Sequence, residues 1–244
     1  MRKYWRGIQA SREREVSLGD RGDLQTRGPL SIWLLCSTLI FLGATSIPES
    51  QPQLVKNTPT QAMKATVSQA LGVLQDEQLK KPERVSERVN RLREIADFRF
   101  DYGEMAKRSL GAHWGKLEDR ERQEYVELFT EFLTATYVER IHIYSGEEVR
   151  FLDERLEGDH AEVKTVMVGK KTDTPLDYRL MMKDGDWKAY DVVVDGTSLI
   201  RNYREQFASI IRSTSFEHLV QMLRDKVAQF NVKTKSIETS PSAR

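Results

Sequence analysis

The fold of this chain is set by residues 176–194, which read Leu176-Asp177-Tyr178-Arg179-Leu180-Met181-Met182-Lys183-Asp184-Gly185-Asp186-Trp187-Lys188-Ala189-Tyr190-Asp191-Val192-Val193-Val194. Before the pair Asp184-Gly185, apolar residues alternate with other residues at a period of two, as in a strand with one buried face. Asp-Gly between two such runs is a strong hairpin signal. We therefore predict two antiparallel strands, 176–183 and 187–194.

The period of two continues upstream of the hairpin. Two further runs, 149–157 and 161–168, are separated by Gly158-Asp159 and followed by the linker 169–175. Connections this short force antiparallel pairing, because a parallel crossover needs about a dozen residues or more. The sequence thus predicts a twisted four-stranded antiparallel meander.

Helical periods flank the meander on both sides. The stretch Thr58-Pro59-Thr60-Gln61 indicates a helix start, with a capping threonine, proline at the first helical position and glutamine completing a capping box. Two helices lead to a bulky apolar stretch that ends at Gly111, and the clearest helix spans 119–140. Apolar stripes over 200–211 and 216–227 predict two more helices after the sheet. This order of elements predicts an α+β fold, with helices packed on the meander.

The first 46 residues are typical of an export signal. A long basic segment leads into the apolar run 30–43, and Ala44-Thr45-Ser46 offers a cleavage site before Ile47. The apolar run has about 14 residues, whereas a membrane-spanning helix needs roughly 20, so a cleaved signal peptide is favoured over an uncleaved anchor. The single cysteine, Cys36, lies within this run, so the exported chain is expected to fold without disulfides.

Composition divides the rest of the chain into three parts. Residues 47–57 have two prolines and no apolar period, which predicts a flexible leader. Residues 58–230 carry the predicted α+β domain. Residues 231–244 are polar and are predicted to be a disordered tail.

The charge balance argues against a nucleic-acid partner. The chain has 38 Lys and Arg against 37 Asp and Glu, so it lacks a general basic field for a phosphate backbone. A hydrophobic fraction of 39% is also too low for a polytopic membrane protein.

Catalytic motifs in the sequence are weak. Residues 196–200 resemble a nucleophile elbow, but Ile200 replaces its final glycine, so Ser198 or Thr197 is better interpreted as a helix cap. Asp191 and Asp195 could do acid-base work, although turn and cap roles are favoured. The histidines are isolated and lack metal-ligand spacing: His113, His142, His160 and His218. We predict no catalytic residue, no metal and no organic cofactor.

The large apolar side chains have two interpretations. Composition alone favours a closed core. The alternative is a ligand cavity in the wedge between the long helix and the curved sheet.

A resemblance to a known family rests on one long stretch near the end of the sheet. It reads Tyr190-Asp191-Val192-Val193-Val194-Asp195-Gly196-Thr197-Ser198-Leu199-Ile200-Arg201-Asn202-Tyr203-Arg204-Glu205-Gln206-Phe207 and resembles the signature of the MlaC-like family, also called the toluene-tolerance or ABC-transporter auxiliary family. Arg122-Gln123-Glu124-Tyr125 and Phe129-Thr130-Glu131-Phe132-Leu133 are similar to the long helix of that family. The chain departs from the family at Glu118-Asp119, where Thr or Ser followed by Pro is usual. The resemblance covers about residues 58–230.

The resemblance implies a fold like that of nuclear-transport-factor-2 domains, with a twisted sheet and helices enclosing a deep apolar cavity. It also implies a periplasmic carrier, not an enzyme, with a bound phospholipid as cargo and a hopanoid or another membrane lipid as the alternative. The implied partners are an inner-membrane ABC transporter with a substrate-binding ring protein, and an outer-membrane lipoprotein-porin complex. An enzyme of the same shape and a non-lipid periplasmic adaptor stay open as other interpretations.

On this resemblance, the lipid-binding residues are large apolar side chains facing the expected cavity, with Arg204 as the candidate for the head group. Asn202, Tyr203, Arg204 and Gln206 are expected to act mainly in fixing their helix against the sheet. The predicted lipid-binding residues are Phe100, Met105, Phe129, Phe132, Leu133, Tyr137, Leu180, Met182, Val192, Val194, Tyr203, Phe207 and Ile211.

Overall fold

Five strands form one antiparallel sheet in the computed structural model, which describes residues 57–141, 144, 146–170 and 172–239, without the side chains of 137–141 and 233–239. The predicted signal peptide 1–46, and the predicted leader up to residue 56, lie outside these residues. The strands are ordered as in the chain: β1 (Glu148–Glu157), β2 (His160–Val168), β3 (Thr174–Lys183), β4 (Asp186–Val194) and β5 (Thr197–Ser198). The four predicted strands are present, but the predicted strand count is wrong. Strand β5 has two residues, too few to show a period in the sequence.

Two Asp-Gly turns fix the end of the sheet. Asp184 and Gly185 have φ angles of 51° and 83°, and positive φ at both central residues is what a type I′ hairpin between β3 and β4 requires. Asp195 and Gly196, at 51° and 74°, join β4 to β5 in the same way. The predicted hairpin and the turn role of Asp195 are therefore confirmed.

The described residues form six α-helices, and they confirm the α+β class. The helices are α1 (Pro59–Gln75), α2 (Val85–Arg99), α3 (Tyr102–Leu110), α4 (Asp119–Ile141), α5 (Leu199–Ser213) and α6 (Phe216–Thr239). Short 3₁₀ turns occupy Pro82–Arg84 and Gly111–Lys116. None of the described helices is both long and apolar enough to cross a membrane.

The ends of two helices bear on the sequence predictions. At the start of α1, Gln61 N donates to Thr58 Oγ1 at 3.2 Å and Thr58 N donates to Gln61 Oε1 at 2.9 Å, so the predicted capping box is present. Helix α6 continues to Thr239, within the segment 231–244 for which composition predicts disorder. An established helix gains one backbone hydrogen bond for each residue added, so it can extend beyond its apolar stripe.

Helix α1 covers one face of the sheet. Ala62 and Met63 on this helix are each 1% exposed. They pack with six strand residues to form what we call the sheet cluster: Ala62, Met63, Ala161, Val163, Tyr178, Leu180, Trp187 and Ala189. The interpretation with a wedge between the long helix and the sheet places the long helix here, and that placement is wrong. The long helix α4 packs against α3 and α6, whose large apolar side chains fill its stripe.

Helices α3 to α6 bury a second group of residues. Tyr125 and Phe129 of α4 are 2% and 0% exposed, so the long helix lies at the centre of this core. We call the group the helical cluster: Met105, Ala106, Leu110, Leu117, Tyr125, Phe129, Leu133, Ile200, Tyr203, Phe207, Leu219 and Leu223. Phe100, between α2 and α3, packs against both clusters.

A bulge in β4 decides which of its residues face α1. Leu180 pairs with Ala189, whereas Arg179 pairs with Asp191, so Tyr190 has no partner on β3. Beyond the bulge, Val192 pairs with Tyr178, so Ala189 and Val192 lie on the same face. A strict alternation would have placed them on opposite faces.

Candidate functional site

The signature stretch connects the sheet to the helical cluster through Asp191. This carboxylate is 4% exposed and accepts hydrogen bonds from Ser198 Oγ at 2.6 Å and from Ile200 N at 3.1 Å. Arg179 on β3 donates at 3.2 Å to Asp191 Oδ2, the oxygen that also accepts from Ser198 Oγ. Ser198 Oγ in turn accepts from Arg201 N at 3.0 Å and caps α5. The cap role predicted for Ser198 is confirmed, and the Asp191 network anchors the start of α5 on β4.

Two candidate reactive groups are occupied by these structural contacts. Ser198 Oγ is held between Asp191 and the α5 backbone, and Asp195 forms a turn, so the two carboxylates have separate roles. His160 Nδ1 lies 2.6 Å from Asp159 Oδ1 on an exposed hairpin. Within the described part of the chain, no group of three or more His, Cys, Asp and Glu side chains could hold a metal ion. His142 lies outside the described residues.

Aromatic rings fill the centre of the helical cluster. Phe132 lies 5.4 Å from Tyr203 across α4 and α5, and Tyr203 lies 5.4 Å from Phe207, measured between ring centroids. Phe129 meets Tyr203 edge-on at 6.0 Å. Such pairs contribute about 0.5–1.5 kcal/mol each beyond the area they bury. This apolar interior offers dispersion contacts.

Tyr125 is a buried member of the helical cluster. Its hydroxyl lies 2.9 Å from Ser109 Oγ, which also donates to the carbonyl of Ala106. Burial raises the pKa of Tyr125 above its usual 10, and the hydrogen bond with Ser109 offsets only part of that rise. The phenol therefore stays neutral at physiological pH.

The structure divides the predicted lipid-binding residues between the two clusters. The helical cluster contains Met105, Phe129, Leu133, Tyr203 and Phe207 as buried members, with Phe132 and Ile211 packed against it. The sheet cluster contains Leu180, with Met182 and Val192 packed against it. Phe100 contacts both, and Val194 is half-buried on β4 opposite Leu176. The side chain of Tyr137 lies outside the described residues.

Sequence reasoning missed several members of the sheet cluster. Trp187 and Ala189 precede the β4 bulge and were overlooked because a bulge has no reliable sequence signature. Met63 lies in the helix predicted to start after Thr58, but the period of a helix does not say which surface that helix covers. Tyr178, on β3, is 8% exposed, and burial raises the pKa of its hydroxyl.

Arg204 lies beside an open cleft between α5 and the 3₁₀ turn after α3. The cleft has a volume of about 490 Å³, and its lining includes Leu110, Lys116, Arg204, Ile211 and Arg212. The side chain of Arg204 is exposed, unlike that of the neighbouring Tyr203, which is buried. Of the four motif residues expected to fix α5, Tyr203 therefore has the clearest packing role.

A second cleft of about 500 Å³ lies between α1 and α2. Its lining includes Val73, Leu79, Arg91 and Ile95. Arg91 is already paired with Glu87 at 2.8 Å, and Asp76 and Glu94 also line this cleft. In this cleft carboxylates outnumber cations, whereas cations outnumber carboxylates in the cleft beside Arg204.

Helices flank the sheet, and two apolar clusters lie in the interior. Among the described residues, no group could hold a metal ion. These features define the chain as an α+β protein with an apolar interior. The sequence profile of the family described as MlaC protein matches residues 64–225, which include the helical cluster, the strand residues of the sheet cluster and the signature stretch. The chain belongs to the MlaC family, and the resemblance seen in the sequence is confirmed.

Two relatives extend this assignment. The chain is similar to the intermembrane phospholipid transport system binding protein MlaC of Haemophilus influenzae (strain ATCC 51907 / DSM 11121 / KW20 / Rd), with 20% identity over 126 residues, or 49% of this chain. The match spans 59% of the length of that curated relative. The fold is also similar to the phospholipid-binding protein of Ralstonia solanacearum, solved in complex with a phospholipid. The TM-score is 0.61 at 23% identity, with 70% of this chain and 97% of that chain covered.

Proposed function

We propose that this protein is a periplasmic carrier that binds one phospholipid by its acyl chains and moves it between membrane complexes. The observation that carries this proposal is the family match over residues 64–225, which contains the helical cluster and the strand residues of the sheet cluster. The Haemophilus relative is named for intermembrane phospholipid transport, and the Ralstonia neighbour holds a phospholipid. We extend these two properties to the present chain.

The physics of lipid transfer favours a carrier with an apolar interior and no catalytic group. Two acyl chains with about 28 methylenes gain roughly 20 kcal/mol on leaving water, at about 0.8 kcal/mol per CH₂. That barrier prevents lipid from crossing an aqueous space at a useful rate. A carrier must match the bilayer, so its chain contacts should be apolar and free of charge. The rings of Phe129, Phe132 and Tyr203 provide such contacts.

We propose that the acyl chains enter between the two clusters and contact the thirteen predicted residues, so that the domain resembles a nuclear-transport-factor-2 fold around an apolar cavity. Phe100 touches both clusters and would lie where the chains separate them. Arg204, exposed on α5, would lie near the lipid phosphate. A hopanoid or another membrane lipid of similar length would use the same apolar contacts.

We further propose that residues 1–46 direct export and that the signal is cleaved after Ser46. The loaded carrier would then dock on an inner-membrane ABC transporter with a substrate-binding ring protein, and on an outer-membrane lipoprotein-porin complex. The support for these partners is the family membership together with the name of the Haemophilus relative.

Native mass spectrometry of the protein purified from the periplasmic fraction tests the carrier. We expect a mature chain starting at Ile47 with one lipid bound, identified by extraction, and transfer of labelled phospholipid between vesicles when the protein is added. A chain that carries no lipid and takes none from vesicles would overturn the proposal and favour a closed-core adaptor. Retention of the full-length form in the membrane would overturn cleavage alone.

A further inference from the structure

The cleft beside α5 is rimmed by exposed cations. Arg204, Lys116 and Arg212 all line it and are all exposed. Among the described residues, none of the three has a carboxylate within 4.0 Å. The one carboxylate of the lining, Glu205, lies 4.0 Å from Arg201 Nε on the same helix. Three positive charges therefore face the cleft with little compensation.

The floor of the same cleft is apolar and continues into the protein interior. Leu110 is 3% exposed and belongs to the helical cluster, and Ile211 packs against that cluster. A ligand that fills this cleft would meet cations at the rim and apolar side chains beneath them. A volume of about 490 Å³ is within the range of small-molecule sites, roughly 300–1,000 Å³.

Gly111 places Arg204 at this rim. Its φ of +53° ends α3, and a Cβ added there would lie 3.1 Å from Cδ of Arg204. The absence of a side chain at Gly111 thus leaves room for the aliphatic part of Arg204 to lie across the turn. The guanidinium is held next to the cleft by packing of its stem.

We propose that this cleft binds the phosphate of an anionic lipid head group through Arg204, Lys116 and Arg212, so that the carrier selects anionic phospholipids over zwitterionic ones. The inference rests on the proposed carrier function and adds a preference for one class of cargo. A phosphate is attracted by all three cations, and arginine suits its oxygens. The ammonium group of a zwitterionic head would be repelled by the same cations.

Competitive loading tests the proposal. Delipidated protein is incubated with vesicles of equimolar phosphatidylglycerol and phosphatidylethanolamine, and the bound lipids are counted by native mass spectrometry. We expect the wild type to favour phosphatidylglycerol. Each of Arg204→Gln, Lys116→Gln and Arg212→Gln should lower the ratio about two- to fivefold, the range for an exposed charge pair. The preference should also fall as NaCl is raised, because the cations are exposed to screening.

Arg155→Gln is the matched control. Arg155 is an exposed arginine on β1, close to Glu157 and away from the cleft, so its removal alters net charge by the same amount. We expect it to leave the ratio unchanged. Thermal melting of every variant checks folding, and Lys116→Gln, on a surface turn, serves if Arg204→Gln does not fold.

The outcomes separate this proposal from the carrier function. Equal loading of both lipids by the wild type, or an equal fall with Arg155→Gln, would overturn head-group selection and leave the carrier intact. If inorganic phosphate raises the melting temperature of the delipidated wild type while the three variants keep its lipid ratio, the cleft binds free phosphate and the proposal is wrong. A wild type that takes up neither lipid overturns the carrier function itself.

Discussion

The sheet cluster and the helical cluster are both apolar, but they are closed in different ways. Polar contacts fasten α1 over the sheet: Thr60 N donates to Glu154 Oε2 at 2.7 Å, and Arg99 Nε donates to Thr66 Oγ1 at 3.0 Å. Arg99 also reaches Asp186 at 3.2 Å, which ties α2 to β4. The centre of the helical cluster is held by ring packing, and its edge meets the cationic cleft. The two clusters cannot be distinguished by their apolar composition alone. They differ in the polar contacts that hold the surrounding helices in place.

The largest expected effect comes from breaking the junction between the two regions. Asp191→Ala should lower the free energy of unfolding by about 1–3 kcal/mol for each of two buried donors, Ser198 Oγ and Ile200 N, which lose their acceptor. Urea denaturation measures this loss. Asp195→Asn is the control and should change stability by less than about 0.5 kcal/mol, since asparagine tolerates positive φ. A loss below about 1 kcal/mol for Asp191→Ala would contradict the role of this residue as the anchor of α5.

Tryptophan substitutions in each cluster ask where the lipid lies. Leu133→Trp and Val192→Trp should each expel lipid with a nearly unchanged melting temperature if acyl chains occupy the adjoining space. In a closed core the added atoms cost about 1–3 kcal/mol instead. Co-purified lipid and melting temperature are measured together, with Val163→Leu, at a fully buried site of the sheet cluster, as the overpacking reference.

The pattern of the two tryptophan variants sharpens the comparison. Loss of lipid in Leu133→Trp alone would place the chains in the helical cluster, and loss in Val192→Trp alone would place them against the sheet. Strong destabilisation by both, with no lipid in the wild type, would exclude a cavity at either position.

Acid should weaken the contact between the clusters at Asp101. Burial pushes the pKa of Asp101 up, but hydrogen bonds from Lys183 and from backbone N–H groups outweigh this and hold the pKa below its usual 3.8. A lowered folded pKa means that the stabilisation is present above about pH 4 and is lost as the pH falls further through the folded pKa. Asp101→Asn should therefore cost about 1 kcal/mol at pH 7 and progressively less as the pH falls below about 4. Urea midpoints between these pH values measure the gap, and a gap that stays constant would contradict the assignment.

The smallest effect concerns the helix that covers the sheet. Gly72 lies within α1, and a Cβ at this position would meet no heavy atom within 4 Å. Gly72→Ala should stabilise the protein by about 0.5–1 kcal/mol, because glycine loses more backbone entropy in a helix. Gly185→Ala is the contrasting control, since its φ of 83° makes alanine unfavourable. If the melting temperature does not rise for Gly72→Ala, the helical propensity of α1 does not limit the stability of the protein.

The local elements of this fold are predictable from sequence, and their tertiary arrangement is not. The period of two, the Asp184-Gly185 turn and the capping box at Thr58 each depend on neighbouring residues, and all three are present in the structure. Helices α1 and α4 both carry apolar stripes, and nothing in a stripe states which one lies on the sheet. The bulge at Tyr190 likewise has no signature, although it changes which side of β4 faces α1.

The candidate site shows the same division. Arg204 stands out because it belongs to a family motif, while Lys116 and Arg212 are ordinary basic residues until the fold brings them to one cleft. The aromatic residues of α4 and α5 can be recognised from their helical spacing. The sequence does not show that these aromatic residues and the pair Leu180 and Val192 belong to two different clusters.

The position of α1 in the chain has a consequence for the order of folding. This helix is made before any strand of the sheet, yet Ala62 and Met63 pack with residues of β2, β3 and β4. The hairpins of the sheet close over short distances along the chain, whereas docking of α1 closes a long loop and carries a larger entropic cost. We expect the hairpins to form first and α1 to dock last. Until then its apolar face stays exposed, so the newly made chain is most prone to aggregation in the interval before α1 reaches the sheet.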